Sequence, residues 1–95
     1  MYSAKALPRF ESQFKKFHSK EQDQIREEIK KILGEPSTGE PKKGPLAGVR
    51  VHKFKIHHQL YLLAYEASPK EKIVYLYALA THENFYKALE RYLDK

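Results

Sequence analysis

The chain of 95 residues reads as one domain over positions 1–95, and 41% apolar with 32% charged residues is ordinary globular composition, not disorder. The absence of cysteine excludes disulfides and thiolate zinc sites. No apolar run approaches the roughly 20 residues of a membrane helix or makes a signal-peptide core, which fits a cytoplasmic protein without a membrane partner. The net charge is +6, and residues 41–65 carry five of the cations (Lys42, Lys43, Arg50, Lys53, Lys55) with no acid. His52, His57 and His58 share that window, so the charge implies an anionic partner at a defined place.

Tyr2 to Leu7 reads as a short strand. Pro8 suits the first turn of a helix, where its missing N–H costs nothing. Phe10, Phe14 and Phe17 then recur at i, i+4 and i+7 on one helical face. A break follows around His18–Lys20, and Ser19 with Gln22 makes a capping-box pattern. Ile25, Ile29, Ile32 and Leu33 repeat the stripe, with Arg26, Glu27, Glu28, Lys30 and Lys31 read as a solvated face. Gly34 and Pro36 end this helix. Residues 35–48, rich in glycine and proline, read as a loop of the length that more often carries function than not.

Beyond the loop the period changes to two. Val49–Ile56, Leu60–Glu66 and Ile73–Leu79 read as three strands joined by turns short enough to force an antiparallel meander. The second and third are near-continuous apolar runs, the pattern of strands covered on both faces. In the first, Val49 and Val51 lie out of phase with Phe54 and Ile56, which predicts a β-bulge near His52–Lys53. Thr81 reads as the N-cap of a last helix whose apolar side is Phe85, Leu89, Tyr92 and Leu93. The order β-α-α-β-β-β-α is an α+β fold: an antiparallel sheet, a helical hairpin packed on one face and a C-terminal helix.

Three constellations bear on chemistry. Arg50, His52, Lys53 and Lys55 crowd one strand just after Lys42 and Lys43, and such cations bind phosphodiester backbones through counterion release. Tyr61, Tyr65, Tyr75 and Tyr77 fit core or cross-strand positions, whereas Tyr86 opens a helix at the end of the sheet and is free to face a ligand. His82 stands at a helix start, where the dipole lowers an imidazole pKa and favours bound anions. No HExxH or comparable ligand spacing exists, so neither metal nor other cofactor is expected.

The stretches Gly44–Ile56, Leu60–Glu66 and Ala80–Tyr86 resemble the RelE/ParE superfamily of toxins from bacterial type II toxin–antitoxin modules, and the Thr-His-Glu-Asn-Phe-Tyr ending is similar to the YafQ branch. The resemblance implies a metal-independent, ribosome-dependent messenger-RNA endoribonuclease neutralised by a cognate antitoxin, with operator DNA bound through the antitoxin complex. His82 would transfer protons, Tyr86 would be the site aromatic and Arg50 would stabilise phosphate. Lys42, Lys43, His52, Lys53, Lys55, His57 and His58 would hold RNA, and Glu66 would orient His82 or Arg50. A DNA gyrase inhibitor on the same fold, or a non-catalytic nucleic-acid-binding module, is the alternative. The sequence departs from the YafQ pattern at Lys43-Gly44, where a histidine is usual.

Overall fold

The computed structural model describes residues 1–82 and Phe85. Strand β1 (Ser3–Ala6) leads into helix α1 (Pro8–Phe14) and helix α2 (Ser19–Gly34). Strand β2 (Glu40–Pro41) follows, then β3 (Arg50–Ile56), β4 (Gln59–Ser68) and β5 (Ile73–Thr81). The five strands form one sheet in the order β1-β5-β4-β3-β2. The meander β3-β4-β5 is antiparallel as expected, and β1 joins β5 in parallel. Among the described residues, no helix is long and apolar enough to cross a membrane.

Pro8 opens α1 as predicted, and Phe10 from it is buried. The start of α2 differs from the reading by one residue. His18 is the N-cap, its backbone N–H donates to Glu21 Oε1 at 3.0 Å, and Ser19 is already helical. Gln22 instead closes the interhelical turn by donating to the carbonyls of Phe14 and Phe17, each at 3.2 Å. Between α2 and β3 the loop contains two short 3-10 turns, at Pro36–Thr38 and Gly44–Leu46, and a two-residue strand that sequence periodicity is too short to show.

The expected bulge in β3 is absent. Its pairing with β4 runs unbroken from Arg50 opposite Tyr65 to Ile56 opposite Gln59. The apolar phase slips because both faces of the sheet are covered. Phe54 and Ile56 join Ile25, Ile32, Leu63 and Tyr65 beneath the helices. Val49 and Val51 join Leu46, Leu62, Ala64, Ala78 and Phe85 on the outer face. The register shift lies one strand over, where β4 and β5 slip between Ala64 and Tyr65.

His57 and His58 form the β3–β4 hairpin turn, both in the left-handed region with φ of 50° and 69°. That pair of positive φ angles is what a two-residue hairpin requires to match strand twist. Thr81 is the last residue of β5, paired with Tyr61, and not a helix cap in that register. Phe85 is helical and buried, and its N–H donates to the His82 carbonyl at 3.3 Å. Tyr86, Leu89, Tyr92 and Leu93, and with them the rest of the expected last helix, lie outside the described residues.

Candidate functional site

Strand alternation sorts the basic window onto two faces. In β3 the even-numbered Arg50 and His52 share the helical face with Phe54, and Lys53 and Lys55 share the outer face with Val51. The lysines are exposed, and successive outward positions lie about 7 Å apart along a strand. Lys53 stands opposite Leu62, which stands opposite Ala80. Lys55 stands opposite Leu60, one step beyond the Tyr61–Thr81 pair and therefore level with His82. Two strand spacings separate those rows, about 10 Å. One end of the outer face thus presents Lys53, Lys55 and an exposed His82.

Arg50 belongs elsewhere. It starts β3 opposite Tyr65, four residues and about 13 Å along the strand from the Phe54 level where β5 ends. Its Nη1 donates to the carbonyls of Gly39 at 2.7 Å and Ser37 at 3.2 Å, so the guanidinium ties the loop to the sheet. Beside it Tyr65, fully buried, accepts from the Gly39 N–H at 2.8 Å and donates to the Pro36 carbonyl at 2.6 Å. Burial pushes the Tyr65 phenol above its ordinary pKa, against the Gly39 bond and the nearby Arg50 charge. The structure does not bring Arg50 and His82 together: they occupy opposite ends and Arg50 faces the helices.

The other basic residues are largely met by acids from outside their window. His52 Nε2 lies 2.7 Å from Glu28 Oε1 on α2 and its ring stacks on Phe54 at 5.7 Å, so it sits in the helix–sheet joint, on the face opposite Lys53 and Lys55. His57 Nε2 is 3.4 Å from Glu21 Oε2. Lys42, half-buried, and the exposed Lys53 flank an exposed Glu40 at 3.6 and 3.8 Å, long contacts that hold little energy. Lys43, Lys55 and His58 have no ion pair among the described residues. Glu66 accepts from the Tyr77 hydroxyl at 2.7 Å on the outer face, five residues along β4 from Tyr61. Its hydrogen bond thus goes to Tyr77, and Arg50 lies on the opposite face of the sheet. No group of three or more histidine or carboxylate side chains among the described residues is placed to hold a metal.

The model of the ParE-like toxins of type II bacterial toxin–antitoxin systems matches residues 4–90. The chain belongs to that family. Its fold is similar to a chain of the E. coli RelBE toxin–antitoxin complex, with a TM-score of 0.70 and 18% identity over 87% of this chain and 99% of that one. The isolated E. coli RelE toxin gives 0.67 and 18%, covering 97% and 99%. The Mycobacterium tuberculosis toxin–antitoxin complex RelBE2 gives 0.73 and 17%, covering 85% and 98%. No curated protein sequence matches the chain. It is a toxin of the RelE/ParE superfamily, and the α+β fold expected of it is the fold it has.

Sequence reasoning missed two residues that organise this toxin. Its charge groups Glu28 with a solvated face, yet it lies three residues after Ile25 and four before Ile32, on the buried stripe, and meets His52 there. Burial alone would raise its carboxyl, but hydrogen bonds from His52 and Lys31 outweigh that and hold it below the ordinary carboxylate value. Tyr65 is core, as its strand pattern predicts, but its hydroxyl also clamps the loop from 26 residues away. Spacing carries no signal for that second role.

Proposed function

We propose that the toxin is a messenger-RNA endoribonuclease acting on the ribosome without metal, in the cytoplasm, with Lys53, Lys55 and His82 at its site. The observation carrying this reading is that two exposed lysines share the outer face with the sheet end that bears the histidine. In the reaction the RNA 2′-oxygen bonds to the adjacent phosphorus and the P–O5′ bond breaks, leaving a cyclic phosphate and a 5′-hydroxyl. His82 takes the 2′ proton as the attack begins, and the leaving oxygen takes a proton from an acid for which Tyr86 is the candidate. The lysine ammoniums hold the phosphate and offset the charge that grows on its oxygens. Lys43 and His58 extend the RNA track, and Lys42 borders it.

Arg50, His52 and Glu66 leave the reaction. They stand on the helical face or at the far end of the sheet, and their bonds are structural. A cognate antitoxin neutralises the toxin, and the pair represses its own operator with the antitoxin reading the DNA.

One observation favours the other branch: the matching family is described as ParE-like. A gyrase poison needs a surface and no proton-transfer group. Induced expression of wild type and His82→Ala, with mapping of messenger-RNA ends and an assay for gyrase-cleaved DNA, separates them. Cleaved messages lost in the variant are expected. Intact messages with wild type, or growth arrest and gyrase-cleaved DNA that survive His82→Ala, refute the ribonuclease.

A further inference from the structure

A cleft of about 350 Å³ lies around Arg50, bounded by Tyr2, Pro36, Ser37, Gly48, Ala67 and Pro69. It sits at the end of the sheet away from His82, since Arg50 pairs with Tyr65, which pairs with Leu76 in the lower half of β5. Its volume suits one or two side chains rather than a large ligand. Arg50 is half-buried here, yet no carboxylate among the described residues pairs with it. Only Nη1 is engaged, by two backbone carbonyls. The Nη2 and Nε donors carry no bond among the described residues. Glu66 is committed to Tyr77 across the sheet.

A partly desolvated charge without a counterion costs free energy, and a guanidinium with a free fork is shaped to receive one carboxylate through two parallel bonds. We propose that this cleft anchors an acidic side chain of the antitoxin, flanked in its sequence by apolar residues that cover Tyr2, Pro36, Ala67 and Pro69. A single cation among proline, alanine and a tyrosine ring fits an apolar-acidic peptide. A polynucleotide would need a track of cations, which the other end of the sheet supplies. An arginine positioned by two backbone carbonyls in a partly apolar cleft is the kind of residue that concentrates binding energy at protein interfaces. The proposal needs the antitoxin but not the ribonuclease, so either reading stands or falls alone.

The test titrates the full isotope-labelled chain with the capped peptide N-acetyl-Leu-Glu-Leu-amide, its Gln counterpart and uridine monophosphate, following the Arg50 Nε–H and the amides of Gly48 and Ala67. Saturable shifts with the Glu peptide are expected, at least tenfold weaker with the Gln peptide and the nucleotide. Equal binding of both peptides, no saturation, or tighter binding of the nucleotide overturns the proposal. Arg50→Lys keeps the charge and loses the fork, so it should weaken the Glu peptide about tenfold, but it also disturbs the loop. Pro69→Phe therefore serves as the second variant, placing a ring over the cleft mouth without touching the Arg50 bonds. It should abolish the shifts at an unchanged unfolding midpoint, and wild-type binding by it overturns the site.

Discussion

The loop between α2 and β3 hangs on one hydroxyl, and Tyr65→Phe tests this. The ring stays in the core and only the oxygen is lost. That oxygen satisfies the Gly39 N–H at 2.8 Å and binds the Pro36 carbonyl at 2.6 Å, on a side chain with no exposure. Leaving a buried donor unsatisfied costs about 1–3 kcal/mol. The Pro36 carbonyl is only part-buried and can recover a water, so the expected loss is about 2 kcal/mol, near the middle of that range. For a domain of this size that lowers Tm by about 10 °C. Urea unfolding should show the lower midpoint with an unchanged m-value, since no apolar surface is newly exposed in the native state. Amide exchange at Gly39 should speed up in the same variant. Tyr75→Phe is the control, because its bond to Glu71 is at the surface and its loss should leave the midpoint where it was. A Tyr65→Phe unfolding free energy within about 0.5 kcal/mol of wild type would refute the clamp.

Glu28 should shape acid stability: its carboxyl is held below its unfolded pKa, so its contribution is full above the ordinary carboxylate range and disappears as pH falls through that range. Unfolding midpoints from pH 6 to 3 should therefore fall less steeply in Glu28→Gln, which starts lower at pH 6; identical slopes would contradict this. Lys53→Ala and Lys55→Ala should each leave the exposed strand folded and lower the salt slope of RNA binding by about one phosphate contact, whereas Arg50→Ala should lose loop stability and keep the slope; calorimetry and binding titrations at three salt concentrations distinguish them. Gly48→Ala should cost about 1–3 kcal/mol, because φ is +94° and the new Cβ would stand 3.1 Å from Glu66 Oε2; an unfolding midpoint equal to wild type would count against the strain.

Much of this toxin is written in local pattern. Helix starts at Pro8 and near Ser19, the stop at Gly34, the three meander strands and the two-sided burial of β4 and β5 follow from periods of 3.6 and 2 and from the chemistry of proline and glycine, which act within a few residues. The parallel pairing of β1 with β5 and the clamp from Tyr65 to Gly39 join residues 70 and 26 positions apart, and no local period carries such a distance; β2, two residues long, is too short to show a period at all. Charge shows the division most clearly. Composition alone fixed a basic window at residues 41–65, free of acids. The fold then supplied the acids from outside it, with Glu28 on His52, Glu21 on His57 and Glu40 near Lys42 and Lys53. It also divided the β3 cations by strand parity, sending Lys53 and Lys55 to the outer face, at the end of the sheet that bears His82, and Arg50 to the helical face and a cleft of its own. Net charge is a sum over the chain, but a site is a set of distances, and those exist only once the strands are paired.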